Sequence, residues 1–476
     1  MKTINYIKQL FFIALVCGIT SSCSKEFLEK TPATTLTPQQ AFNDPSLLDA
    51  AVQGMYDRLQ SVGYYGRDFV VLPELASDNA QLRSDNSGRF INTYGFSLTP
   101  SNDDVAGPLD AAYEAIHGAN LIIENAQNCE DCEQEDLDNA LGNAYAIRAL
   151  AHFDLTRLFS FPYNVTDGSV APGANGQGGN LGVPLVLTSI PEDFTRNTLD
   201  EVYNQVILDL QQAENLLPNT SQNDVYMSSY GASALLARLY LYKGDYPKAI
   251  AKANEVIAGP YSLTSNADYV DSWSTAGSSE TIFEISFSNT DYPGTNALGY
   301  IYIVEGYGDF FLTNELYSLY NPNDVRLGLY QENDGEFYNY KFPSRDGIAG
   351  LANTPVLRLS ETILNKAEAL AKSGNDAGAR TALDMIRFRA NPNAAPTTSS
   401  GNQLISAILQ ERRKELAFEG HRLYDIVRNK RDMTREEGDV TGSATQTLNY
   451  PSPKMIFPIS KDETDVNPEF QQNVGY

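Results

Sequence analysis

One stretch of the chain occurs twice, and that limits what the chain can fold into more than any other feature. GASALLARLYLYKGDYPKAIAKANEVI puts small residues at Ala237 and Ala249, an aromatic at Tyr240 and a glycine at Gly244. Moving on by 130 residues gives Ala367, Leu370, Gly374 and Ala379, inside RLSETILNKAEALAKSGNDAGARTALDMIRFRA. Apolar residues recur at helical spacing around each glycine, so each copy reads as helix, turn, helix. Alanines fall where the two helices must touch, and the glycine takes the turn. A pair of this kind cannot bury its apolar face alone, so it has to stack on further pairs.

The spacing is that of a tetratricopeptide unit. Asp136–Phe159 with Leu199–Leu217 reads as another unit, split by a Gly-rich insert from Thr166 to Gly182. Glu411 to Arg428, broken at Gly420, makes a fourth and degenerate one. The expected fold is mostly α: a tetratricopeptide-like helical superhelix of about four helix pairs, lying within residues 136–258 and 355–428. A loop-rich half, about 64–108 and 260–345, would carry ligand binding.

The degenerate unit, ERRKELAFEGHRLYDIVR, has an unusual charge pattern. Glu411, Glu415 and Glu419 repeat at i+4, a like-charge series that repels unless cations reach it from outside the helix. Arg422, Arg428 and His421 are the nearest candidates in sequence. Arg412 falls inside the apolar stripe between Ile408 and Leu416. These features point to buried charges paired internally, fixing how neighbouring helices dock.

The formal charge of −26 gives a surface that repels phosphate backbones, and no basic stripe interrupts it, so nucleic acid is not an expected partner. At the N-terminus, Lys2 and Lys8 precede an apolar run from Leu10 to Ile19, followed by Ser21, Ser22 and Cys23. This reads as a secretion signal over residues 1–22, too short to span a bilayer. Small residues leading into Cys23 resemble a bacterial lipobox, which makes Cys23 the expected lipidation site and a lipid anchor the expected link to the membrane. Cys129 and Cys132, in NCEDCEQED, lack a second pair or flanking His, so a local disulfide or two free thiols fit better than zinc.

The loop-rich parts supply the candidate ligand-binding residues. Tyr64 and the PELASDN segment, with Asp78 and Asn79, precede a polar loop from Gln81 to Asp104 that carries Arg83, Arg89 and Tyr94. Residues 260–345 hold eleven of the 28 tyrosines and Trp273, the only tryptophan. About half of those tyrosines are expected in packing. Aromatic faces stack on the C–H face of a pyranose, and short amides or carboxylates bond its hydroxyls. Trp273, Tyr292, Tyr302, Asn296, Asp78, Asn79, Arg83 and Tyr64 are therefore the candidate ligand contacts.

Nothing singles out a catalytic centre. There is no HExxH, GxSxG or phosphate loop, no twelve-residue calcium-loop spacing, and the three histidines lie in helical segments. No enzyme activity, metal or cofactor is expected.

ERRKELAFEGHRLYDIVR, YEAIHGANLIIE and the closing NPEFQQNVGY resemble the SusD-like (RagB) family of nutrient-binding outer-membrane lipoproteins. The resemblance implies that residues 23–476 form a single SusD-like domain without catalysis of its own. It also implies an outer-membrane lipoprotein, lipid-anchored through Cys23, that faces the cell exterior. The implied partner is a TonB-dependent (SusC-like) transporter, over which the chain sits as a lid and to which it delivers an oligosaccharide. Competing readings are a peptide-binding uptake lipoprotein of the same architecture, a protein-interaction adaptor and a secreted glycoside hydrolase. The last needs two carboxylates about 5–10 Å apart, and no motif selects such a pair.

Overall fold

The structure, a computed structural model, describes residues 42–190, 194–220 and 224–476. The secretion signal and Cys23 lie outside the described residues. The longer helices are α1 (Pro45–Asp57), α2 (Asp68–Leu75), α3 (Asp103–Asn125), α4 (Gln134–Phe159), α5 (Leu199–Leu216), α6 (Ser229–Lys243), α7 (Tyr246–Ile257), α8 (Leu359–Lys372), α9 (Asp376–Ala390), α10 (Gly401–Glu415) and α11 (Arg422–Arg428).

The two sequence repeats are α6–α7 and α8–α9. Each first helix ends at a glycine in the left-handed region, Gly244 at φ +83° and Gly374 at φ +81°, where a side chain would be strained. The next residue then starts the second helix: Asp245 accepts from the Lys248 amide, and Asn375 from the Gly378 amide. Ala237, Ala249, Ala367 and Ala379 are all fully buried, so the paired helices meet through small side chains. α4 packs on α5, α5 on α6, and α7 directly on α8. α10 closes the stack against α8 and α9, while its short partner α11 leans on α2. α3 and then α1 extend the layer beyond α4.

Because α7 touches α8, the chain between them leaves the helical stack and returns to it. Six short strands organise the loop-rich part: β1 (Ala80–Leu82), β2 (Thr281–Ile285), β3 (Phe310–Leu312), β4 (Tyr330–Asn333), β5 (Glu336–Asn339) and β6 (Thr354–Arg358). β2 pairs antiparallel with β6 and forms the neck of the excursion. β1 pairs antiparallel with β3, Ala80 opposite Leu312, and joins the two loop-rich regions expected from the sequence. β4 and β5 form a hairpin whose turn residues Asp334 and Gly335 both have positive φ. Cys129 and Cys132 are joined as a disulfide in the loop between α3 and α4.

The glutamate series is buried, and its cations come from further away than the sequence suggested. Glu411 pairs with Arg326 at 2.6 Å and Lys414 at 2.7 Å; Glu415 with Arg326 at 3.0 Å, Arg389 at 2.5 Å and Arg358 at 3.4 Å. Glu419 pairs with Arg358 at 2.8 Å and Lys341 at 2.6 Å. Arg422 and Arg428 serve other acids, because the chain reverses at Gly420 and α11 points them elsewhere. Arg422 reaches Asp78, and Arg428 reaches Glu368 and Asp425. His421 is neutral, its pKa driven well down by burial. Arg412, fully buried in the apolar stripe, meets Asp425 at 2.7 Å.

Burial alone would raise the Glu415 carboxyl, but Arg389, Arg358 and Arg326 hold it well below the usual range. Glu361 and Glu368 are likewise lowered against burial, by Arg238 and Arg428 respectively. These groups titrate lower in the folded protein than in the unfolded chain. Their contribution to stability is complete above the unfolded value of about 4.5 and fades as pH falls towards the folded values. Asp68, pushed up to about 6 by burial in spite of Arg67, works in the opposite sense. A thermal-unfolding series should therefore show its steepest loss of midpoint below about pH 4. Arg358→Met, which leaves Glu415 and Glu419 underpaired, should lower unfolding free energy by about 3–5 kcal/mol in urea titration.

Candidate ligand-binding face

Four of the expected ligand contacts are interior residues. Tyr64 donates to the Asp154 carboxylate at 2.8 Å, beside Tyr65 at 2.7 Å. Tyr302 stacks on Phe342, with ring centroids 5.7 Å apart, and donates to the Phe418 carbonyl at 3.3 Å. Asn79 donates to Glu74 and accepts from Arg413, each at 2.8 Å. Asp78 lies between Arg422 and Arg413, which hold its carboxyl well below the usual range against the effect of burial.

The PELASDN segment is polar because it anchors α11. Glu74 accepts from the Gly420 and His421 amides at 2.9 and 3.0 Å, at the start of that helix. Gly420 permits the approach, since a Cβ there would stand 3.0 Å from the Val70 Cα.

Trp273 lies on a narrow cleft of about 30 Å³ whose other walls include Glu280, Glu284, Arg345, Asn353 and Arg358. Its half-buried ring is already engaged by protein groups. Lys341 and Arg358 stand 5.0 and 5.2 Å from the ring centroid, and Tyr269 and Phe342 meet it edge to face. Both cations belong to the glutamate network, so the indole covers that network on the cleft side.

Asn296 and Arg83 lie where the two loop-rich regions meet. Arg83 continues β1 by donating its amide to the Asp309 carbonyl at 2.9 Å, and its guanidinium pairs with Asp85 at 2.7 Å. The buried Asp309 carboxylate then receives the Ser87 amide at 2.8 Å and the Ser87 hydroxyl at 2.6 Å, which fixes the turn before Arg89. Arg89 sits 4.5 Å over the Tyr307 ring and donates to Asn296 Oδ1 at 3.3 Å. Arg67 donates to the same oxygen at 3.3 Å. Tyr300 meets Tyr307 edge to face at 5.2 Å, and the Tyr307 amide donates to the Tyr300 carbonyl at 2.8 Å. Gly306 and Gly350 let the backbone close round Tyr300, since a Cβ at either would fall within 2.3 Å of its main chain. Tyr292, half-buried, precedes this group on the same segment. The result is a partly exposed face of two phenol rings, an amide and a guanidinium.

Residues 313–476 match the SusD family, and residues 26–241 match the family described as starch-binding and associating with outer membrane. A SusD superfamily protein from Bacteroides vulgatus ATCC 8482 has the same fold, with TM-score 0.83 and 32% identity over 91% of this chain and 100% of the other. One from Bacteroides thetaiotaomicron VPI-5482 gives 0.81 at 27% identity over 90% and 99%. SusD-like protein P2 of Formosa agariphila is 28% identical over 89% of this chain and 90% of its own length. The chain belongs to the SusD-like family.

SusD-like proteins are non-catalytic binding proteins, and this one is a carbohydrate-binding protein associated with the outer membrane. Its buried histidines suit that. The His152 pKa is lowered to about 3 by burial; its Nδ1 meets the Arg148 carbonyl and its Nε2 the Val186 amide. Among the described residues no group of His, Cys, Asp and Glu is arranged to hold a metal, and no helix is long and apolar enough to cross a membrane.

The sequence of this SusD-like chain does not mark Arg67, Tyr300 or Tyr307 as ligand contacts, and places Arg89 only in a polar loop. No local signal marks them, because the β1–β3 pairing assembles them across more than 200 residues. Tyr307→Ala should weaken oligosaccharide binding by about tenfold in calorimetry. Trp273→Phe should leave affinity unchanged and lower stability by about 1 kcal/mol.

Proposed function

We propose that this SusD-like chain is a lipid-anchored lipoprotein on the outer face of the outer membrane. It captures an oligosaccharide on the face formed by Asn296, Tyr300, Tyr307 and Arg89, and delivers it to a TonB-dependent, SusC-like transporter. The observation that carries the binding step is the convergence of two distant loop regions on aromatic rings beside an amide and a guanidinium. Rings supply a flat apolar contact for a pyranose, and the polar groups fix its hydroxyls.

Anchoring rests on Cys23, where several acyl chains would hold the mature chain at the membrane, since each buried CH₂ contributes about 0.8 kcal/mol. Delivery rests on membership of the family, and the helical stack offers a broad surface apart from the loop-rich half. Cys23→Ser should move the protein from the membrane pellet to the soluble fraction. Affinity purification of the anchored protein should recover a β-barrel transporter from solubilised outer membrane. Absence of that barrel under conditions that preserve membrane complexes would remove the delivery step.

A further inference from the structure

The face described above has an unusual balance of charge and of hydrogen-bond donors. Arg67 and Arg83, on either side of it, are matched by Asp68 and Asp85 at ion-pair distance. Arg89 has no such partner among the described residues. Asp309 reaches it only through Ser87, whose hydroxyl donates to Asp309 and accepts from Arg89 Nη1 at 2.9 Å. With the bond to Asn296 and its approach to the Tyr307 hydroxyl, Arg89 commits at most three of its five N–H groups, which leaves at least two.

Asn296 adds to the imbalance. Its Oδ1 is held by two guanidiniums, which orients the amide and leaves both Nδ2 hydrogens without a partner among the described residues. The Tyr307 phenol, its pKa lowered by Arg89 and Thr295 beside its hydroxyl, completes a cluster that offers donors and few acceptors. A neutral sugar hydroxyl both donates and accepts. A carboxylate or sulfate ester only accepts, and a planar guanidinium held against an aromatic ring matches it with paired N–H groups. The overall charge of −26 does not oppose this, because exposed charges more than about 8 Å away are largely screened at physiological salt.

We propose that the oligosaccharide taken at this face is acidic, and that Arg89 receives a carboxylate or sulfate ester on the sugar while Asn296 Nδ2 donates beside it. This rests on the reading of the face as the glycan site. The test is calorimetry on the full-length protein in detergent with two matched pairs of probes. One pair is oligogalacturonate and its carboxyl-reduced form; the other is a sulfated galactan oligosaccharide and its desulfated form.

The expected result is that one anionic probe binds about tenfold or more tightly than its neutral counterpart, with affinity falling as salt is raised. Which pair responds tells carboxylate from sulfate. Arg89→Met should weaken the anionic probe by that factor beyond whatever it costs the neutral one, so that the preference within the pair disappears, and Arg89→Lys should recover part of it. A merely structural role for Arg89 would weaken both members of a pair alike and would overturn the proposal. Equal binding of neutral and anionic probes also overturns it, yet leaves the glycan reading intact. Failure of all four probes and of a neutral glucan panel, with binding of a peptide mixture instead, overturns the glycan reading itself.

Discussion

Three carboxylates at one-turn spacing can be buried together only if cations from elsewhere in the fold meet them, and most of this architecture follows from that demand. Glu411 and Glu415 lie on α10 and Glu419 just past its end. Arg389 comes from α9 and Arg358 from the end of β6, whereas Arg326 and Lys341 come from the loop-rich part. Glu280, at the start of β2, pairs with both Arg358 and Arg389. Desolvation makes such a network weak evidence for net stability. What it does supply is position, because leaving any of these charges unmatched in the interior costs more than the pairing gains.

The network and the ligand face are linked through the same segment. Arg326 and Lys341 fix the far side of the excursion between α7 and α8 against the stack. Packed rings continue from there: Trp273 meets Phe342, Phe342 stacks on Tyr302, and Tyr302 meets Phe310, which touches Phe90. Arg67 lies over Phe90 and donates to Asn296. A packed column thus runs from the ionic core to the half-buried Asn296 amide at the ligand face.

The helical half was legible because its signals are local. Ala237, Gly244 and their counterparts 130 residues on sit at fixed spacings, and the structure uses each at the place the spacing implies. The network was legible as a need and not as a solution: the glutamates showed that cations must arrive, but Arg326 and Lys341 lie 85 and 78 residues from the acids they meet. Asp78 and Asn79 looked like ligand groups because a polar run before a loop reads the same whether it faces solvent or anchors a neighbouring helix. Trp273 stood out by rarity, yet rarity says nothing of whether a ring face is free. Arg89 was visible in its loop. Its lack of a carboxylate partner is a tertiary fact that no sequence window contains.

The neck formed by β2 and β6 makes the loop-rich segment a cassette, entered and left through one strand pair while α7 packs directly on α8. Such a segment can change length and content without disturbing any contact between neighbouring helices of the stack. Its freedom ends at Arg326 and Lys341: a replacement without cations there would leave Glu411, Glu415 and Glu419 short of partners in the interior.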